Sequence, residues 1–124
     1  MKIKFNNGRN YNIELTRVKV KEGKSQLVDE WMKFLNDNMK DTLLTLEGEN
    51  MYVETIHREV FRGEEFLYWY SIQGEGGIDV YDSESYIDKK HLEYWNECID
   101  SEFKAQDIEP EVIMIPEKVK DSMK

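Results

Sequence analysis

Glu54, Arg58, Trp69 and Gln73 are the residues on which chemistry would first be built. They fall in one stretch, Met51 to Gln73, whose arms MYVETIHREVF and FLYWYSIQ flank the turn RGEE. A carboxylate, a guanidinium, an indole and an amide sharing one face can hold a small ligand and move a proton on it. Placing Phe61 opposite Phe66 across the turn sets Arg58 opposite Trp69, within reach for cation–π stacking, and Glu54 opposite Gln73. Buried polar groups are paired or offered to a ligand. The same four residues therefore also read as a satisfied network, or a dimer contact, that fixes subunit register.

His57 and His91 are the only imidazoles. Either titrates near neutral pH and can serve as acid or base, although both positions suit packing: His57 in mid-strand, His91 on the apolar stripe of a helix. His91 joins the four as a candidate ligand-binding residue. Three further motifs weaken on inspection. Gly23-Lys24-Ser25 resembles the end of a phosphate-binding loop, but Val18 stands where that loop needs glycine. Gly74-Glu75-Gly76-Gly77 follows a strand, but Asp79 occupies the sixth position of a dinucleotide fingerprint. Asp79, Asp82 and Glu84 do not match the spacing of a calcium loop. Cys98 is the sole cysteine, so no intrachain disulfide forms. With no histidine or cysteine pair at ligand spacing, neither a metal site nor a cofactor is expected.

The elements that must position these residues follow from periodicity. β-Branched and aromatic residues crowd Met51–Gln73, which reads as an antiparallel hairpin. Alternation puts Val53, Thr55, His57, Glu59, Phe61, Phe66, Tyr68, Tyr70 and Ile72 on one face. Ile56, Val60, Leu67 and Trp69 lie on the other with Tyr52, Glu54, Arg58, Ser71 and Gln73. Tyr11 to Val20 alternates as a strand. Lys24 to about Glu47 carries one apolar stripe, with Gly23 or Ser25 to cap it, Gly48 to stop it and a weak point at Asn36-Asp37-Asn38. Gly74 to Ser85 is a loop by composition. Tyr86 to about Ile99 reads as a second helix, capped by Ser83 or Ser85. Glu111 to Ile115 reads as a last strand fenced by Pro110 and Pro116. Met1 to Gly8, ending in the turn pair Asn7-Gly8, suggests a small edge strand.

This β-α-β, β-α-β order is the ferredoxin-like split βαβ arrangement, an α+β fold: a four-stranded antiparallel sheet with two helices on one face. The expectation is one domain over 1–124, with 1–10 and 117–124 peripheral. The helices are assigned to the face of His57 and Phe61. The face of Ile56, Val60, Leu67 and Trp69 is then too apolar to leave in water, so a second copy is expected to close a barrel over it.

Composition bounds the rest. The 124 residues are 35% charged and 40% hydrophobic, with two Pro and seven Gly, which suits one soluble globular domain. A formal charge of -9 argues against nucleic acid or an anionic membrane as partner. No apolar run approaches the roughly 20 residues of a membrane span, and MKIKFNN lacks a signal-peptide core, so the expected location is cytoplasmic.

The phrases RVKVKEGKSQLVDEWMKFLN, EEFLYWYSIQGEGG, DKKHLEYWNECID and EPEVIMIP, spanning roughly Ile13 to Pro116, resemble a small bacterial family of unknown function in the dimeric α+β barrel superfamily. The resemblance implies a ferredoxin-like fold and a homodimer, and it brings no activity with it. Better-known barrels of this kind include small monooxygenases, haem-degrading enzymes, muconolactone-type isomerases and stress-response proteins. The haem-degrading group uses an Asn, a Trp and a His; Trp69 and His91 are of those types, but no matching motif surrounds them. Two functions follow as expectations. One is a barrel that binds or transforms a small apolar or aromatic molecule, by cofactor-free oxygenation or isomerisation. The other is a non-enzymatic homodimer with a filled barrel.

Overall fold

The computed structural model describes residues 1–5 and 8–123, so Asn7 of the expected Asn7-Gly8 turn lies outside the described residues. The strands are β1 (Lys2–Lys4), β2 (Asn10–Lys19), β3 (Met51–Phe61), β4 (Glu64–Gln73) and β5 (Gln106–Asp107). The helices are α1 (Ser25–Asp37), α2 (Met39–Gly48), α3 (Tyr86–Cys98) and the short α4 (Glu117–Lys120), with one 3-10 turn at Val80–Asp82. The fold is thus mixed α+β around an open antiparallel sheet ordered β1-β2-β4-β3, with β5 also paired to β2. The sheet has five strands where four were expected.

The extra strand is β1, which pairs with the start of β2. The fifth strand is Gln106–Asp107 and not Glu111–Ile115. Residues 111–115 alternate without a ladder: Val112 and Met114 are exposed, whereas Ile113 and Ile115 pack on Tyr11, Ile13 and Ile72. Burial of alternate side chains produces the same sequence pattern as a strand.

The hairpin turns on two residues rather than four. Arg62 and Gly63 take φ of 52 and 78, the left-handed pair that matches the twist of the flanking strands. Glu64 and Glu65 therefore belong to β4, and Phe61 pairs with Glu64 instead of Phe66. Every expected cross-strand pair slides by two: Ile56 faces Trp69, Arg58 faces Leu67, and Glu54 faces Ser71. A slip of two preserves which residues share a face. Tyr52 is the exception, because a register shift between Met51 and Val53 lets it pack with Ile72 and Tyr11.

Helices α1 and α3 cover the face opposite to the one expected. Val28 and Trp31 of α1, with Tyr94 and Cys98 of α3, pack on Val18, Val20 and Leu67, with Ile56 and Trp69 beside them. Period two sorts residues onto faces but does not say which face is covered, and β3 is apolar on both. The opposite face is partly closed from within the chain by Phe5, Ile113, Ile115 and Met123 around Tyr11. Phe66 is buried there under Phe103 and the Arg17 guanidinium, which lies 3.7 Å from its ring centre.

The expected first helix breaks where Asn36-Asp37-Asn38 sits. Asn38 leaves helical geometry, and its side-chain amide donates to the Phe34 carbonyl at 2.8 Å. Neither Gly23 nor Ser25 caps α1; Lys24 holds that position without a side-chain bond. At the far end Asn50, with φ 55, takes the left-handed role expected of Gly48. Among the described residues no helix is long and apolar enough to cross a membrane.

Candidate functional site

The break at Asn38 makes room for a site. Helix α1 lies against the sheet, whereas α2 turns away over β3, and none of its residues is fully buried although it carries Met39, Leu43, Leu44 and Leu46. Beneath it a cavity of about 500 Å³ opens between sheet and helices. Its floor is Thr16, Glu54, Ile56, Trp69 and Ser71, and Asp88, His91 and Trp95 of α3 form one wall. The volume suits a small organic ligand.

Indoles and carboxyls dominate the chemistry. Trp69 Nε1 donates to Glu54 Oε1 at 2.6 Å, and Trp31 Nε1 donates to His91 Nδ1 at 3.0 Å. An indole only donates, so His91 Nδ1 must accept, and the neutral ring carries its proton on Nε2. Rings of Trp69 and Trp95 meet edge-on at 5.3 Å, and His91 lies 5.6 Å from Trp69. Burial lowers the His91 pKa against the opposing pull of Asp88. Burial raises that of Glu54; the Trp69 hydrogen bond works against this and the Asp88 charge adds to it. Glu49 is pushed from 4.5 to about 7 by burial and then by the charges of Asp88, Glu54 and Asp79.

The Glu49 shift has a measurable sign. The folded chain holds this proton more tightly than the unfolded chain, so stability falls as pH rises from 4.5 to about 7. Because Glu49 is only half buried, the effect is discounted for solvent screening to about 1–2 kcal/mol. His91, shifted the other way, loses stability as pH falls and partly opposes the trend. Glu49→Gln should therefore flatten the Glu49 part of the slope and stabilise the protein at pH 8, as read by urea denaturation at pH 5, 6.5 and 8.

Of the five residues singled out from sequence, three meet here: Glu54, Trp69 and His91 all line the cavity. Arg58 does not. Its guanidinium pairs with Asp29 and Glu65 and donates to the Ser25 carbonyl at 2.6 Å, tying the start of α1 to the hairpin. Gln73 sits at the edge, where its amide donates to the Glu49 carbonyl at 3.0 Å. His57 is exposed and bonds only to Thr55 among the described residues. Glu49, Asp88, Trp31 and Trp95 were not singled out. Asp88 stands three residues after the α3 cap Ser85, where an acidic residue has a ready local explanation. Among the described residues no group of three or more His, Cys, Asp or Glu is placed to hold a metal ion.

Residues 11–121 match the model of one protein family, described as a family of unknown function (DUF6176). No curated protein and no solved structure matches the chain.

Proposed function

The chain belongs to the DUF6176 family, and from its cavity we propose that it binds a small molecule with an apolar or aromatic body and isomerises it by proton transfer at Glu54. One observation carries this reading: a partly buried carboxyl group, oriented by the Trp69 indole, lines a ligand-sized cavity beside a neutral imidazole. The indole holds Oε1, which leaves Oε2 to take a proton from the ligand and return it at a second position. A raised pKa strengthens Glu54 as a base near neutral pH. Isomerisation needs no oxidant, so it suits these groups better than oxygenation does.

Intrinsic fluorescence tests the reading, since Trp69 and Trp95 line the cavity and Trp31 packs on both. A screen of small aromatic compounds should give saturable quenching and a raised Tm. Ser71→Phe should fill the space and abolish both signals while leaving a folded protein. Glu54→Gln keeps the acceptor for Trp69 and should retain binding but slow proton exchange on the bound ligand by about 10²–10⁴-fold. Quenching that persists in Ser71→Phe would place the binding elsewhere.

We also read the arrangement as ferredoxin-like, and the face opposite the helices as the contact of a homodimeric barrel. The order β5-β2-β4-β3 supports the first. Exposed Val53 and Phe61 on that face support the second, together with exposed Val112 and Met114 in the chain end that packs beside it. Cavity and contact then lie on opposite sides of the sheet, so subunit association and ligand binding are separable. Phe61→Glu should shift sedimentation from dimer to monomer and leave the cavity signals intact; a wild-type monomer at 100 μM or so would contradict the dimer.

A further inference from the structure

Resting on the reading that this cavity binds a small molecule, we infer that the molecule is a cation: an amine or quaternary ammonium on a compact apolar or aromatic body. Four acidic residues line the space, Glu14, Glu49, Glu54 and Asp88, and among the described residues no lysine or arginine does; Glu14 is the exposed one of the four, where its Oε1 accepts from Asn12 Nδ2 at 2.7 Å. Carboxyls gathered for structural reasons are normally answered by basic side chains. The nearest lysines on α3 turn outward, where Lys89 pairs with Glu84 and Lys90 with Glu93.

Asp88 makes the case specific. It is only 5% exposed and lines the cavity, yet it forms no hydrogen bond or ion pair with another described residue. Its position on α3 would let it close a capping box on the Ser85 amide, but that amide donates to Ser83 Oγ at 3.1 Å instead. Its oxygens are not sealed off, so a group in the cavity that donates to them can take the place of water there. An ammonium donates hydrogen bonds and charge together. Trp69 and Trp95 also line the space, and aromatic rings there suit a cation on an apolar body.

A second consequence is proton release. The groups facing the bound charge would be Glu14 from β2, Glu49 from the α2–β3 connection, Glu54 from β3, and Asp88 and His91 from α3, with Asp79 acting on Glu49 from the loop. A cation among them favours ionised carboxyls, so binding near pH 6 should expel a proton, chiefly from Glu49.

The test compares three probes of one shape on the full chain: phenethylammonium, 2-phenylethanol and 3-phenylpropanoate. Calorimetry at pH 6, in two buffers of different ionisation enthalpy, reads affinity and protons together. The ammonium should bind at least about tenfold more tightly than the alcohol, with proton release, and the carboxylate should not bind. Asp88→Asn, checked for an unchanged Tm, should erase most of the preference. Alcohol binding as tight as the ammonium would overturn this inference and leave the cavity reading standing. Failure of all three probes would overturn both. Ammonium binding that survives Ser71→Phe and Asp88→Asn would mark attraction to the acidic surface and overturn the inference as well.

Discussion

Trp31→Ala should lower the free energy of unfolding by about 3–5 kcal/mol, a large share of the 5–15 kcal/mol that holds a typical domain together. Trp31 has no exposed surface and joins both layers of the fold. Its ring meets Trp69 of the sheet at 5.6 Å and His91, Tyr94 and Trp95 of α3 at 5.4, 6.1 and 6.2 Å. Truncation opens a cavity between α1 and α3 and leaves His91 Nδ1 without its donor. Trp31→Phe separates the two effects, because it restores most of the packing but not the hydrogen bond. It should recover part of the stability and leave a deficit of about 1–3 kcal/mol for the unpaired nitrogen. Denaturant unfolding checks both. A Trp31→Ala protein within 1 kcal/mol or so of the parent would mean that α1 is not packed on α3 as described.

Gly77→Ala should be nearly as damaging, for a different reason. A Cβ at Gly77 would lie 2.0 Å from the Glu49 carbonyl oxygen and 2.8 Å from the Asn50 nitrogen, and backbone cannot swing aside as a side chain can. The two segments are laced together by Gly74 N to Asn50 O at 2.8 Å, Ile78 N to Gly48 O at 2.9 Å and Asn50 Nδ2 to Glu75 O at 2.6 Å. Some of these bonds must break to admit one methyl group, at a cost of about 2–3 kcal/mol. The connection carrying Glu49 then loosens, and the Glu49 pKa should fall from about 7 back toward 4.5. Gly76→Ala is the control. Its Cβ meets nothing within 4 Å, so only the strain of φ +82 remains, about 1 kcal/mol. Hydrogen exchange at Gly74 and Ile78 distinguishes them: protection should vanish in Gly77→Ala and persist in Gly76→Ala.

Trp31 read as one more apolar position of a helix and Gly77 as part of a glycine motif that fitted no fingerprint, and the reason neither stood out for its packing is physical. The hairpin was legible because β-branched and aromatic residues crowd both arms of a turn that contains Gly63. Its turn was not, because Glu64 and Glu65 are polar enough to pass for loop while pairing as strand. The grouping of Glu54 with Trp69 survived that error, since a slip of two keeps side chains on the same face. The covered face was misassigned because β3 presents apolar residues on both sides, and only the docking of α1 and α3 on Val18, Val20 and Leu67 decides between them. What the sequence had suggested as the inner wall of a dimeric barrel is the floor of a cavity within one chain. Glu49 and Asp88 stayed hidden because each sits beside a helix end, where an acidic residue or a turn already explains itself. Gly77 looked like one of several flexible glycines, and a close backbone approach leaves no mark on composition.

Glu54 and His91 line one cavity, and each is held there by a tryptophan. With only three tryptophans, the ¹⁵N-indole signals of the chain can be followed one by one through a pH titration. The Trp69 signal should follow Glu54, with a midpoint above 4.5, and the Trp31 signal should follow His91, with a midpoint below 6.5. Indole signals that stay flat from pH 4 to 8 or so, with the carboxyl group of Glu54 titrating at its ordinary value, would mean an open, water-filled groove and would contradict the site.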